Sequence, residues 1–239
     1  MALLEARGLT RFFGGLRAVG NLSFEVAEGE ILGLIGPNGA GKTTVFNLVT
    51  GFVRPSGGDV WLEGRSVVGL RPHAVARRGI ARTFQIVKPF PNLSVKENVT
   101  LAAFLRHPAR RDAEAEAARV LERVDLGHRV GVLASQLTLL DQKRLEMAKA
   151  LATGPRVILL DEPMGGLTPS EVDAASGIVR RIRESGVTVV LVEHVMKAIM
   201  RISDRVIVMH HGEKIAEGAP AAVVRDPAVI AAYFGKRVA

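Results

Sequence analysis

Gly36-Pro37-Asn38-Gly39-Ala40-Gly41-Lys42-Thr43-Thr44 fits the pattern G-x-x-x-x-G-K-[ST] in full. Before it, Ile31 to Ile35 is a short apolar run suited to a buried strand. After it, Thr44 to Thr50 has amphipathic helical spacing. Strand, glycine-rich loop and helix in that order make a cradle for a polyphosphate. Glycines let backbone N–H groups curl around the anion without Cβ clashes. The helix N-terminus adds a partial positive charge. The expected nucleotide-binding residues are therefore Asn38, Gly39, Ala40, Gly41, Lys42, Thr43 and Thr44, with Lys42 reaching the β- and γ-phosphates and the Thr43 hydroxyl placed to ligate Mg²⁺. A glycine-rich turn carrying a lysine by chance would not have both flanks correct.

Around this loop the sequence is strand-rich. Leu3 to Thr10 and Leu22 to Val26 alternate apolar and polar residues, and Asp59 to Glu63 reads as a further strand. From about Ser94 to Leu151 Ala, Glu, Leu and Arg dominate, and helices are expected. Ser94-Val95-Lys96-Glu97 has the form of a capping box, Asp112 to Val124 has helical spacing, and Leu126-Gly127 reads as its stop. Strands return at Val157 to Leu160 and Val187 to Val192, alternating with helices at Ser170 to Ser185 and Val195 to Ser203. Arg205 to Met209 and Lys214 to Ala216 flank a hairpin turn at His211-Gly212. Strand–helix alternation predicts an α/β fold with a mostly parallel sheet. The helical middle is then an insertion within one domain spanning residues 1–239.

Val157-Ile158-Leu159-Leu160-Asp161-Glu162 is an apolar strand ending in two carboxylates. Asp161 is placed to hold a magnesium shell beside the phosphate loop. Glu162 points elsewhere and suits a general base for an attacking water. Gln85, in Arg82-Thr83-Phe84-Gln85, can bind water and magnesium and sense a γ-phosphate. His194 follows an apolar strand, at the strand end where α/β ligands gather.

The chain has 239 residues, 48% of them hydrophobic, and no cysteine, which excludes disulfides, thiolate zinc sites and cysteine nucleophiles. No uncharged apolar run approaches the ~20 residues of a membrane span. The early charges of Met1 to Arg11 argue against a signal peptide. The net charge is +8. Arg71, Arg77, Arg78 and Arg82 cluster before Gln85, and read either as solvated faces or as attraction to an anionic leaflet or acidic partner loops. Nucleic acid is not expected as a partner, because acids are interspersed and Trp 1 and Tyr 1 offer no stacking platform. A GTPase is disfavoured by the lack of an Asn-Lys-x-Asp string. Phe84, Val87, Phe90, Pro91 and Leu93 read either as core or as a groove for a partner's helix.

In the order of phosphate loop, Gln85, helix-start motif, Asp161-Glu162 and His194, the whole chain resembles the ATP-binding subunits of ABC transporters. The resemblance implies a RecA-like P-loop NTPase core (1–86 and 154–239), an N-terminal antiparallel β region and a helical subdomain (87–153). It implies ATP and Mg²⁺ as cofactors, and two subunits sandwiching two ATP molecules. It also assigns roles: Phe13 as the aromatic that stacks on adenine, Glu162 as the catalytic glutamate, His194 as the switch histidine, and Gly165-Gly166-Leu167-Thr168 as a loop crossing the dimer interface. Arg11-Phe12-Phe13-Gly14-Gly15-Leu16-Arg17-Ala18-Val19, Arg144-Leu145-Glu146-Met147-Ala148-Lys149-Ala150-Leu151 and Asp161-Glu162-Pro163-Met164-Gly165-Gly166-Leu167 are most similar to importer subunits for branched-chain amino acids. Such a protein works peripherally at the cytoplasmic face of the inner membrane, with permease subunits and, indirectly, a substrate-binding protein. A non-transport ABC ATPase acting on nucleic acid or ribosomes is the alternative.

The family's signature, near Leu-Ser-Gly-Gly-Gln, is absent as a string. Spacing from Asp161 places its equivalent at Leu137-Thr138-Leu139-Leu140-Asp141. Leu140 in place of glycine crowds a partner's γ-phosphate, and Asp141 adds negative charge near a polyanion. Thr138-x-x-Asp141 equally reads as a capping box that simply starts a helix. A degenerate signature beside intact hydrolytic motifs favours a heterodimer over a homodimer.

Overall fold

A computed structural model describes residues 2–234. The expected core range runs on to residue 239, so its last five positions lie outside the described residues. The chain begins with a long hairpin, β1 (Ala2–Phe13) and β2 (Leu16–Ala27), turning at Gly14-Gly15. Then come β3 (Ile31–Ile35), α1 (Lys42–Val49), β4 (Gly57–Leu62), β5 (Arg65–Ser66), α2 (Pro72–Arg78) and β6 (Ile80–Arg82). The helices α3 (Val95–Ala103), α4 (Arg110–Arg123) and α5 (Leu139–Leu151) follow. After them run β7 (Val157–Asp161), α6 (Pro169–Glu184), β8 (Thr188–Val192), α7 (Met196–Ile202), β9 (Arg205–His210), β10 (Glu213–Gly218), α8 (Pro220–Val223) and α9 (Pro227–Phe234).

The fold is that of a P-loop NTPase, with two sheets. One is antiparallel, in the order β2-β1-β4-β5; the other runs β10-β9-β3-β8-β7-β6, parallel except for β10. The central strands are apolar along their length because both faces are covered. Alternate residues go to opposite sides. Leu32, Leu34, Val157, Leu159, Val190 and Val192 face a cluster shared with the antiparallel sheet and Phe46 of α1. Ile31, Ile35, Ile158, Leu160, Val189 and Leu191 face the other cluster, which takes in Val99, Leu121 and Leu145 of the inserted helices. The helical insertion and the sheet therefore share one buried cluster.

Local signals explain most boundaries. Ser94 caps α3 with the full reciprocal box, Glu97 N–H to Ser94 Oγ and Ser94 N–H to Glu97 Oε2. The β9–β10 turn places His211 and Gly212 at φ 47° and 81°, as a tight hairpin requires. Two features differ from the sequence reading. α4 ends ahead of Leu126-Gly127, because Asp125 takes the left-handed conformation (φ 56°) and Leu126 N–H bonds back to Leu121 O. α2 and β6 have no counterpart in the sequence reading, because α2 buries only Val75 and β6 is three residues long.

Candidate functional site

Parallel strands deliver their C-terminal ends to one edge, and that edge is the site. β3 runs into the phosphate loop, β6 into Thr83-Phe84-Gln85, β7 into Asp161-Glu162, and β8 into Glu193-His194. A cleft of about 650 Å³ there is lined by Phe13, by Asn38 to Thr44, and by Gln85, Glu162 and His194.

In the loop, the glycines at 36 and 41 are required by space as well as by angle. A Cβ on Gly36 (φ +152°) would stand 2.2 Å from Met209 O, and one on Gly41 (φ +103°) 2.5 Å from Ala18 O. Gly41 precedes the first turn of α1, whose opening N–H groups have no intrahelical acceptor. Lys42 is buried and folds onto its own loop, its Nζ donating to Gly36 O at 2.6 Å and Pro37 O at 3.0 Å. Burial lowers its pKa, opposed by Glu162 and Asp161. The ammonium thus sits in the loop's concavity with its partners already arranged around it.

Glu162 is the hub. Gln85 Nε2 donates to its Oε2 at 2.9 Å, and His194 Nε2 lies 2.8 Å from its Oε1. Its backbone is left-handed (φ 50°), an uncommon conformation for a residue with a side chain. Asp161 is buried. Its Oδ2 accepts from Arg82 at 3.0 Å, while its Oδ1 is buried with no hydrogen-bond partner. Burial raises the Asp161 pKa, and the Arg82 charge opposes that shift. An orphaned carboxylate oxygen on Asp161 and the exposed Thr43, which line one hollow, are a donor set for a hydrated divalent cation.

Three residues of this centre were not singled out from the sequence as site residues. Arg82 was grouped with a basic surface cluster. Its side chain is in fact only 7% exposed, bound to Asp161 and Asn47, with Phe84 and Phe52 around its guanidinium at 4.7 and 5.6 Å. Arg71, Arg77 and Arg78 do stay on the surface. Glu193 is buried, its carboxylate accepting from the N–H groups of Met164, His194 and Val195, and burial raises its pKa. Lys143 is buried too, its Nζ donating to Glu162 O at 2.7 Å. The missed signal was a charge closing an apolar strand, as in Asp161: Arg82 and Glu193 share that position.

Phe13 lies at the mouth of the cleft, 45% exposed, with the Arg11 guanidinium 4.6 Å from its ring centre. Leu16, Arg17, Ala18, His211 and Gly212 line the same side. Leu137, Thr138, Leu139, Leu140 and Asp141 do not line the cleft. They form the start of α5, where Thr138 Oγ1 accepts from Asp141 N–H. Asp141 is turned inward and bonds Arg144 at 3.1 Å, with Arg129 at 3.8 Å, so its charge is offset within the chain. Thr138 and Leu139 are exposed there, and Leu139 Cδ2 would stand 3.2 Å from a Cβ on Gly166.

A second hollow, about 750 Å³, meets the cleft at Thr43 and Gln85; Arg82 and Asp161 line its inner part, and Phe52, Phe84, Ile86 and Ala102 its apolar part. Of the five residues read as core or groove, Phe84 and Phe90 are 43% and 54% exposed and Pro91 is exposed, while Val87 and Leu93 are half-buried; Ile86 beside them is 71% exposed. Among the described residues no helix is long and apolar enough to cross a membrane.

Residues 19–165 match the family model "ABC transporter", and residues 213–239 match "Branched-chain amino acid ATP-binding cassette transporter". The chain is 42% identical to the high-affinity branched-chain amino acid transport ATP-binding protein BraF of Pseudomonas aeruginosa, over 98% of each protein. It is 41% identical to LivG of Escherichia coli, with the same name and the same coverage. Among solved structures, a nucleotide-free ATP-binding cassette from an ABC transporter superposes with a TM-score of 0.90 at 28% identity, over 99% of this chain and 100% of the other.

Proposed function

This chain belongs to the ABC transporter family as an ATP-hydrolysing transport subunit, and we propose that its cargo is branched-chain amino acids taken up through a permease with which it associates. The observation that carries the reading is the single cleft that gathers the phosphate loop, Gln85, Glu162 and His194. Support for the cargo comes from its relatives, each named for branched-chain amino acid transport, and from the C-terminal match over residues 213–239.

In this reading Lys42 and the first-turn N–H groups of α1 bind the β- and γ-phosphates, and Phe13 stacks on the adenine. Glu162 accepts a proton from the attacking water, while His194 and Gln85 hold its two carboxylate oxygens in place until the γ-phosphate arrives. The Thr43 hydroxyl, Gln85 and the unpartnered Asp161 Oδ1 would hold Mg²⁺, which neutralises charge on the phosphates when bound. Arg82 keeps the other Asp161 oxygen occupied, which leaves Oδ1 for the metal shell.

The subunit works at the cytoplasmic face of the membrane and pairs with a second ATP-binding subunit, in which a glycine-bearing signature completes this chain's site. The crowded start of α5, with Leu139 exposed and Leu140 half-buried, supports a heterodimer. The test is reconstitution in vesicles with the permease, the companion subunit and the binding protein. Leucine, isoleucine or valine is expected to stimulate ATP hydrolysis and to accumulate. Stimulation by none of the three would overturn the cargo, and full cooperative turnover by this subunit alone would overturn the heterodimer.

A further inference from the structure

We propose that Lys143 is a positioning residue that ties the start of α5 to the backbone of Glu162. The helix lent to the partner's nucleotide and the base serving this chain's own nucleotide then move together. The inference rests on the reading of Glu162 as the base and of α5 as the segment facing a second subunit.

Four observations carry it. Lys143 lies one turn into α5, past its cap Thr138, and is buried although it is a lysine. Its Nζ reaches across to donate to the Glu162 carbonyl at 2.7 Å, a backbone oxygen, even though three carboxylates (Asp161, Glu162 and Glu193) bear on its charge. Glu162 holds a left-handed backbone, which persists only where the surroundings enforce it. Its N–H is fixed by Val192 O at 2.9 Å, and its carbonyl by Lys143 and by Gly165 N–H at 3.2 Å. Last, the α5 start makes a second contact with the loop after Glu162, where Leu139 Cδ2 would stand 3.2 Å from a Cβ on Gly166.

A lysine in this place does something a neutral donor could not. It satisfies a strained carbonyl and supplies positive charge among three acids, at the point where a helix start meets a catalytic loop. When a partner's phosphates draw the α5 N-terminus, the displacement passes through the Lys143 stem to the Glu162 backbone. The carboxylate on that backbone is bonded to Gln85 and His194. Closure over one nucleotide therefore adjusts the base at the other, a coupling between two distinct sites.

The experiment compares Lys143→Met, Lys143→Gln and Lys143→Arg in the reconstituted transporter. Lys143→Met and Lys143→Gln are expected to lower kcat about tenfold to a hundredfold, the cost of misplacing a catalytic group, with KM for ATP and affinity for a fluorescent ATP analogue changed by less than about twofold. Lys143→Arg keeps the charge and the donor and is expected to restore most of the rate. A packing role alone would not be rescued by the bulkier arginine. If the methionine variant does not fold, the glutamine variant carries the same comparison. Unchanged kcat in either neutral variant, or a loss that arginine does not restore, overturns the proposal. Glu162→Gln in the same assay tests the premise separately. Normal turnover there overturns the base assignment and this inference with it, whereas an inactive Glu162→Gln beside a fully active Lys143→Met overturns the coupling alone.

Discussion

His194 Nε2 lies 2.8 Å from Glu162 Oε1, on the opposite carboxylate oxygen from the one Gln85 holds. The two contacts aim the carboxylate from both sides, and neither supplies the proton acceptor itself. Replacing the acceptor should therefore cost more than replacing either guide. Glu162→Gln is expected to lower kcat by about 10²- to 10⁴-fold, the range for losing a general base, while ATP still binds and accumulates in a trapped dimer. His194→Ala is expected to fall short of that loss. Single-turnover hydrolysis and nucleotide retention on a spin column measure both. A Glu162→Gln protein that hydrolyses ATP rapidly would remove Glu162 from the role of base.

Arg82 and Asp161 form a buried pair, with side chains 7% and 2% exposed. A pair so placed adds little over apolar packing, but losing one partner strands a charge at a cost of about 3–5 kcal/mol. Arg82→Met leaves the Asp161 carboxylate buried and unpaired. It is expected to destabilise the fold by about 3 kcal/mol, and to raise the Mg²⁺ concentration needed for half-maximal turnover, since nothing then holds Oδ2 away from the metal position. Urea unfolding and a Mg²⁺ titration check the two parts. A loss below about 1 kcal/mol would show that Asp161 finds its counter-charge elsewhere.

Much of this site was legible in the sequence because its parts are local. A glycine-rich loop between strand and helix, or two carboxylates closing an apolar run, announces chemistry in a handful of consecutive residues. Arg82, Lys143 and Glu193 are different. Their roles come from partners 79, 19 and 29 residues away, at Asp161, Glu162 and Met164. Composition grouped Arg82 with its exposed neighbours Arg77 and Arg78, and only β6–β7 pairing takes it inside. Asp141 shows the reverse case. Its charge read as an obstacle to a polyanion, but the α5 turn brings Arg144 beside it and the fold brings Arg129, from the segment before α5, to its other oxygen.

Glu193 gives the fold a pH signature. Burial raises its pKa above the ordinary 4.5, against three backbone N–H groups that favour the charged form. The folded state thus holds this proton more tightly than the unfolded chain does. The stability Glu193 contributes is fully present below pH 4.5 and declines as pH rises through the window above it. Glu193→Gln removes that titration. The thermal midpoint of the native protein minus that of the variant is expected to be larger near pH 5 than near pH 8, and scanning calorimetry across that interval decides it. A difference that grows with rising pH would mean the backbone bonds outweigh burial.

Ile86 separates coupling from chemistry within the hollow that Thr43 and Gln85 share with the nucleotide cleft. Ile86 is 71% exposed and lines that hollow but not the nucleotide cleft, whereas Phe84 also rests on the Arg82 guanidinium. Burying an isoleucine against a permease helix is worth about 1.5–3 kcal/mol, and burying an unpaired carboxylate there costs more. With about 1.4 kcal/mol per tenfold, Ile86→Glu is expected to weaken permease association and transport by at least tenfold. Basal hydrolysis by the ATP-binding subunits should stay within about twofold, because no bond around Glu162 is touched. Phe84→Ala should depress both, since Arg82 loses an aromatic neighbour and with it part of its hold on Asp161. Co-purification with the permease, leucine uptake and basal ATPase, measured on both variants, check this. Normal uptake by Ile86→Glu would place the permease on some other surface of the subunit.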